Sequence, residues 1–365
     1  MKQFLPKVSV CIPTFNRAEM LREVIISVLT QSFQDFELII SDNASQDQTQ
    51  EVMASMKDDR IRYIRNETNI GMIQNFNQCL ARARGSYITI FHDDDLMLPD
   101  NLRLKVRALD QNSGVGLVHS KFDFIDEHGV LLKSNTNFGK PVSQDRLEPG
   151  RKFLIKTLMS GNTVNAPSVM IRRECYERLG GFDERLTLTA DAEYWMRLSL
   201  YCDILFLARP LVKSRRHAGA DNTKYFSIVN RSIRMNPLGI EERLKANSIV
   251  LERYESVFGK CEDLKRRVRA SIESATANFV VNDHLQRRDK RGAKRYLIQV
   301  CRRSPEILAS KVVMVLLVKT LLNEQAIRIL RQLASRFSSG DQQQSREAKA
   351  VAKIVGCAKR HCGEE

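Results

Sequence analysis

The sequence predicts an α/β protein: a parallel sheet with helices on both faces, followed by an all-helical region. Three observations predict it. Short apolar, β-prone runs alternate with helical patterns up to residue 119, the rhythm of a parallel sheet with crossover helices. Three of those runs end in polar clusters, as strands do where a sheet opens onto a ligand crevice. Composition then changes: residues 1–221 hold 29 Lys/Arg against 28 Asp/Glu, net +1, whereas residues 222–365 hold 29 against 15, net +14.

The first strand is 8–12, broken by Pro13-Thr14-Phe15-Asn16. A helix follows over 19–30, with Met20, Leu21, Val24, Ile25, Val28 and Leu29 at helical spacing. The second strand, 36–40, runs into the polar turn 41–45, and a helix covers 47–56. The third strand is 61–64, followed by a loop over 66–71 and a helix over 73–84. The fourth is 87–91, leading to Asp93, Asp94 and Asp95. A helix over 99–109 and a fifth strand over 115–119 complete the alternation. From residue 225 onward long helical patterns take over, at 240–258, 262–285, 290–301, 305–322 and 324–337. A polar linker at 338–345 precedes a short helix at 346–360. The expected domains are therefore 1–221, a basic helical domain 222–337, and a tail 338–365.

At 365 residues and 43% hydrophobic content the chain supports a large core and more than one domain. No signal peptide is visible before the first strand, and the longest apolar run, 312–318, is far below the roughly 18 residues of a membrane span. The expectation is a cytoplasmic protein that is soluble or peripheral to the inner face of a membrane. The eight cysteines form no Cys-x-x-Cys and read as reduced thiols. Cys357, His361 and Cys362 are three zinc-type ligands with no fourth nearby, which argues against a zinc site.

Three adjacent carboxylates repel one another, and a strand end is a poor place to hide them. They are readily held together around a hard divalent cation, which takes carboxylate oxygens and substrate phosphates. A metal–diphosphate site is one reading. A solvated acidic turn ahead of the helix near Pro99 is the other. Pro13 to Asn16, Asp42-Asn43 and the aspartate run all fall at the carboxyl ends of predicted parallel strands, so segments distant in sequence converge on one crevice. An isolated acidic turn does not predict that.

These residues resemble family 2 glycosyltransferases of the GT-A fold, whose donor half is a Rossmann-like sheet. The matching pieces are Val8 through Asn16, Gln31 through Ser45, Asn69-Ile70-Gly71, and the segment ending in Asp93-Asp94-Asp95 with Pro99-Asp100. It continues through Pro167-Ser168-Val169-Met170-Ile171-Arg172, Gly180-Gly181-Phe182-Asp183-Glu184 and Ala190 through Leu198, and fades after His217.

The resemblance implies a nucleotide-diphosphate sugar donor, a divalent metal (Mn2+ or Mg2+), and a glycan or lipid-linked acceptor in surface polysaccharide or glycolipid assembly. It implies that Phe15 packs on the base, with Pro13, Thr14 and Asn16 shaping the pocket, and that Asp42 and Asn43 read the base or ribose. Asp93 would touch the ribose, and Asp94, with Asp95 and His217, would bind metal. The usual Asp-x-Asp-Asp pattern has His92 in its first place here, where a histidine within the sheet is the plainer reading. The family's Glu-Asp pair is Ala190-Asp191, leaving Asp191 as general base. The plainer reading of Asp191 is the N-cap of a helix over 192–200. Glu193 is a second candidate base, Trp195 a candidate for the acceptor site, and Arg215 or Arg216 a phosphate partner. A single displacement with one base implies inversion. The chain lacks the Gln-x-x-Arg-Trp segment of processive synthases, so one hexosyl or deoxyhexosyl group is expected per encounter.

Three alternatives stand beside this reading. A nucleotidyltransferase needs a Gly-rich, Arg-containing loop after the first strand, and Pro13 to Arg17 contains no glycine. A nucleic-acid binder needs a recognition motif or aromatics among the basic residues, and neither is evident, so no nucleic-acid partner is expected. A glycosyltransferase-like protein without activity is suggested by His92 and Ala190 in place of carboxylates. The +14 half suits an anionic membrane surface.

Overall fold

Burial on both faces explains why the first strands are almost purely apolar. In β1 (Val8–Thr14) every residue is buried, as in β2 (Phe36–Asp42). Val8, Val10 and Ile12 enter one core and Cys11 the other. The structure, a computed structural model, describes residues 5–136, 142–217, 226–229, 232–235 and 237–303, with single positions at 307, 313, 316, 317 and 320.

After β1, α1 (Ala18–Leu29) buries Ala18, Leu21, Val24, Ile25 and Val28 along one face. Then come β2, α2 (Thr49–Ser55), β3 (Ile61–Arg65), α3 (Met72–Ala81), β4 (Tyr87–Ile90), β5 (Leu96–Met97) and α4 (Asn101–Gln111). β6 (Val115–Ile125), β7 (Leu131–Thr136), β8 (Arg146–Glu148) and α5 (Gly150–Ser160) follow. A single 3-10 turn (Ala166–Ser168) leads into β9 (Met170–Arg172), α6 (Arg173–Leu179), α7 (Ala190–Leu198) and β10 (Asp203–Arg215).

The sheet order is β3-β2-β1-β4-β9-β6-β10-β5, with β7 on β6 and β8 on β10. β3, β2, β1 and β4 are parallel, as the alternation predicts. Beyond β4 the sheet is mixed, because β9 runs antiparallel to both β4 and β6. β9 has three residues behind Pro167 and is too short to show a period, which is why the sequence hides it. The fifth strand extends past residue 119 to Ile125, because β10 pairs alongside it through Arg215.

Helices cover both faces. One core joins α1 and α4 to the sheet through Leu21, Val24, Leu102 and Leu109. The other joins α3, α5 and α7 through Leu80, Phe153, Tyr194 and Trp195. Gly85 enters β4 where a Cβ would lie 2.6 Å from the Ser9 nitrogen, so only glycine allows β1 and β4 to approach there.

The chain forms two compact units: 1–223 with 242–261, and 224–241 with residues from 262 onward. The second contains a hairpin of β11 (Phe226–Val229) and β12 (Ser232–Met235), which periodicity did not show, ahead of the expected helices. α8 (Pro237–Phe258) passes from this unit into the first. α9 (Glu262–Gln286) and α10 (Lys290–Arg303) pack through Ala277, Val281, Ala293, Leu297 and Val300. Among the described residues no helix is long and apolar enough to cross a membrane. The six described cysteines are free thiols. The helices expected at 324–337 and 346–360, the linker between them and the Cys357/His361/Cys362 cluster lie outside the described residues, as does most of the helix expected at 305–322.

Candidate active site

Register brings the three polar clusters together. Thr14 of β1 stands opposite Asp42 of β2, and Cys11 opposite Ile90 of β4. The residues that follow each strand therefore share one edge of the sheet. The third cluster is not a solvated turn: Asp93, Asp94 and Asp95 are 4%, 9% and 2% exposed.

Each aspartate meets a different partner. Asp93 accepts from the Phe15 nitrogen at 3.4 Å and from Arg17 Nη1 at 2.7 Å. Arg17 Nη1 also lies 3.5 Å from Asp94 Oδ2, so one guanidinium bridges two carboxylates. Asp94 Oδ2 is 2.9 Å from His217 Nε2. Asp95 accepts the Arg215 nitrogen at 2.7 Å. Burial pushes the Asp93 carboxyl up, against the pull of Arg17. Burial pushes Asp95 well up, and repulsion from Asp94 adds to it. Asp94 also loses hydration, but the His217 hydrogen bond and the nearby His92 and Arg17 outweigh that and hold it below the usual range.

Donor chemistry supports a divalent metal here. Ligand atoms of His92, Asp94 and Asp95 lie within 4.8 Å of one another, and His217 reaches Asp94 from the other side. Burial and the Asp94 charge both raise Asp95, and a dication among these carboxylates would oppose both effects. Carboxylates with imidazole suit Mn2+ better than a site of oxygens alone would. His92 is not in the sheet. It lies just beyond β4, its side chain 37% exposed and its Nδ1 3.9 Å from Asp95, with its ring 6.1 Å from that of Phe76.

The remaining expected donor residues separate into two groups. Phe15 is 41% exposed at the rim, while Pro13 and Thr14 are buried beneath it. Asn16 adopts a left-handed φ of 53° and ties β1 to the β2 turn: its nitrogen donates to Ser45 Oγ at 2.9 Å, and its Oδ1 accepts from the Gln46 nitrogen at 2.7 Å. Asp42 is enclosed rather than presented to the crevice. It accepts from the Ser45 nitrogen and the Tyr63 hydroxyl, with Arg65 at 3.5 Å. Asn43 bonds Asn69, Asn66 and the Ile70 nitrogen. Both side chains thus hold the turn from within.

Arg215 is likewise committed to protein. Its guanidinium holds the Asp94 and Glu127 carbonyls and the Glu23 carboxylate, fastening β10 to the acidic run. Arg216 stacks on Phe124 at 4.1 Å.

α7 begins at Ala190 with Thr189 as its N-cap residue, so Asp191 is inside the first turn and not the cap. Asp191 is partly exposed; its Oδ2 accepts from Asn162 Nδ2 at 3.2 Å and its Oδ1 from the Ala192 nitrogen at 2.6 Å. Loss of hydration raises its carboxyl to about 6. Because β9 runs antiparallel to β4, the residue before it, Val169, lies toward the end of the sheet that carries the aspartates. Ring contacts link the two sides: His92 to Phe76, Phe76 to Phe182 at 5.9 Å, and Phe182 to Tyr194 at 5.1 Å.

Glu193 is withdrawn from any role as base. It is fully buried and grips Arg197 at 2.8 and 2.9 Å. Trp195 is 2% exposed and belongs to the core. Sequence reasoning missed Arg17 and Asn162. The signal for Arg17 was its place directly behind the Pro13–Asn16 motif; Asn162 had none beyond its loop.

Comparison with known proteins agrees with this arrangement. Residues 9–180 match the model of glycosyl transferase family 2. The uncharacterized glycosyltransferase RT0329 of Rickettsia typhi is 30% identical over 224 residues, covering 60% of this chain and 67% of its own length. Among solved structures, S. aureus TarS, crystallised with UDP-GlcNAc, superposes with a TM-score of 0.56 at 17% identity over 86% of each chain. The mannosyltransferase PcManGT of Pyrobaculum calidifontis, in complex with GDP-Man and Mn2+, gives 0.50 at 16% identity, covering 99% of this chain and 88% of that one. At such identities the two structures establish the fold alone. The chain belongs to glycosyl transferase family 2: it is a glycosyltransferase with the GT-A fold, followed by C-terminal helices.

Proposed function

We propose that this glycosyltransferase is inverting and non-processive, moving one hexosyl or deoxyhexosyl group from a nucleotide-diphosphate sugar to an acceptor hydroxyl. The observation that supports this reading is Asp191, a partly accessible carboxyl in the first turn of α7, raised to about 6 and held by Asn162. A base works best when its pKa approaches the operating pH, and an ordinary aspartate is too weak. Asn162 holds Oδ2 and fixes the orientation of the carboxylate. Asp191 then takes the acceptor proton as the hydroxyl attacks the anomeric carbon. A single base and a single displacement invert that carbon.

The donor side is supported by the UDP-GlcNAc and GDP-Man bound in the two structures of the same fold. Phe15, exposed at the rim, offers its ring to the base, and Asp93 faces the ribose when Arg17 swings aside. Asp94 and Asp95, with His217 and His92 as imidazole donors, would hold Mn2+ or Mg2+. When bound, the cation supplies charge stabilisation for the departing diphosphate. For the acceptor we favour a glycan or lipid-linked sugar of surface polysaccharide or glycolipid assembly, met in the cytoplasm at the inner membrane face.

Binding and turnover of a panel of nucleotide-diphosphate sugars with Mn2+ test this, in the wild type, Asp94→Ala and Asp191→Ala. One donor should bind only with metal, Asp94→Ala should abolish that binding, and Asp191→Ala should keep it while stopping turnover. If no donor binds with or without metal, the catalytic reading falls. Product NMR showing retained anomeric configuration would overturn the single displacement.

A further inference from the structure

The second unit carries an unusual helix. α10 buries Ala293, Leu297 and Val300 against Ala277 and Val281 of α9. Its opposite side exposes Lys290, Arg291, Lys294, Arg295 and Arg302. At 3.6 residues per turn these five fall within an arc of roughly 140° along about 18 Å of helix, with Ile298 and Gln299 between Arg295 and Arg302. α10 has no acidic residue in its sequence, and none of the five forms an ion pair among the described residues. Three of the four bases of α9 differ: Lys265 pairs with Glu262, and Arg266 and Arg267 with Asp263, while Arg287, just past the helix, pairs with Asp283.

This arrangement works against the helix that carries it. Lys290 and Arg291 stand in the first turn, where the helix dipole is positive and cations are unfavourable. Lys290 with Lys294, and Arg291 with Arg295, are like charges one turn apart and repel. Asp289, which caps this helix end through the Gly292 nitrogen at 2.8 Å and feels the charge of Arg295, is one carboxylate against four cations in the first two turns; an opposing layer of negative charge relieves the remainder.

We infer that this face of α10 docks onto an anionic lipid bilayer through phosphate headgroups. A broad basic face along one helix matches an extended anionic surface. This face presents no aromatic ring on which bases would stack, since Tyr296 is partly buried on the inner side, and this disfavours a nucleic acid. The inference is independent of the roles assigned to Asp94 and Asp191, and it would bring the enzyme to the surface where a lipid-linked acceptor resides.

The test is co-sedimentation of the full chain with vesicles of phosphatidylcholine alone or mixed with phosphatidylglycerol. The wild type should bind only the anionic vesicles and be released by high salt. Combined Lys290→Gln, Lys294→Gln and Arg295→Gln should weaken partitioning about a hundredfold, from about fivefold for each residue. Combined Lys265→Gln, Arg266→Gln and Arg267→Gln on α9 should cost far less. Circular dichroism and donor binding report whether each variant is folded. Where the triple variant fails to fold, Lys294→Gln alone, at about fivefold, decides. Absence of binding to anionic vesicles at low salt overturns the inference, as does equal loss in the two triple variants or tighter binding to an oligonucleotide than to vesicles.

Discussion

His217 Nε2 lies 2.9 Å from Asp94 Oδ2, although 123 residues separate them in the chain. The contact exists because β10 runs parallel to β6 as far as Arg215, whose nitrogen and guanidinium then fasten the chain to Asp95 and Asp94. His217→Ala should therefore weaken Mn2+ binding by roughly 10–100-fold, whether the imidazole ligates the ion or orients Asp94. It should also move metal binding to higher pH, because the hydrogen bond that holds the Asp94 carboxyl down is lost. Mn2+ titration by electron paramagnetic resonance measures both; unchanged affinity would remove His217 from the metal site.

As the proposed base, Asp191 should set the acidic limb of activity. With its carboxyl at about 6, turnover should fall as pH drops through that value, since the protonated acid cannot accept the acceptor's proton. Asp191→Asn should lower kcat by about 10²–10⁴-fold and leave donor affinity unchanged. Asn162→Ala removes a hydrogen bond that favours the charged form, so the limb should move to higher pH. A limb that stays in place in Asn162→Ala and survives in Asp191→Asn would assign the base elsewhere.

The Glu193–Arg197 pair is structural. Arg197 also donates to the Leu179 and Gly181 carbonyls, so it ties α7 to the turn after α6. Arg197→Met leaves a carboxylate buried without its partner and should cost about 3–5 kcal/mol in denaturant unfolding. A loss under about 1 kcal/mol would mean that water reaches Glu193 in the variant.

Lys105 on α4 is fully buried, and its Nζ has no hydrogen-bond partner among the described residues. Burial lowers its amine to about 7 from 10.5. Between those values the unfolded chain binds more protons than the folded one, so this residue makes stability rise with pH. Below about 7 the full penalty of a buried ammonium applies. Lys105→Met should therefore stabilise the protein at neutral and lower pH by roughly 1–4 kcal/mol and flatten this part of the pH dependence. Thermal unfolding across that pH range would show it, and a lowered Tm throughout would contradict it.

How much of this could be read from the residues depends on the distance over which each feature is encoded. The strands 8–12, 36–40 and 87–91 declare themselves because burial on both faces demands unbroken apolar runs. Asp93 to Asp95 declare themselves because three adjacent carboxylates need a reason to be together. β9 and the hairpin of β11 and β12 do not, since three or four residues carry no period. Asp42 looked like a ligand-reading residue because it ends a strand; only packing showed Ser45 and Tyr63 already occupying it. Arg215 looked like a phosphate partner because it stands beside His217 in a segment that resembles the family's, yet its guanidinium is taken by the Asp94 and Glu127 carbonyls and Glu23.

Local order along the chain was thus enough for the α/β alternation, the edge on which the crevice opens, the acidic run and the change to a basic helical half, because periodicity, burial and charge are properties of neighbouring residues. The tertiary structure decided which groups meet there: Arg17 across Asp93 and Asp94, His217 on Asp94, Asn162 on Asp191, and Glu193 locked to Arg197. Three of these four pairings join residues at least 29 positions apart, and the fourth is one helical turn whose burial comes from other elements. Such contacts depend on strand register and helix packing, which no short window of sequence contains.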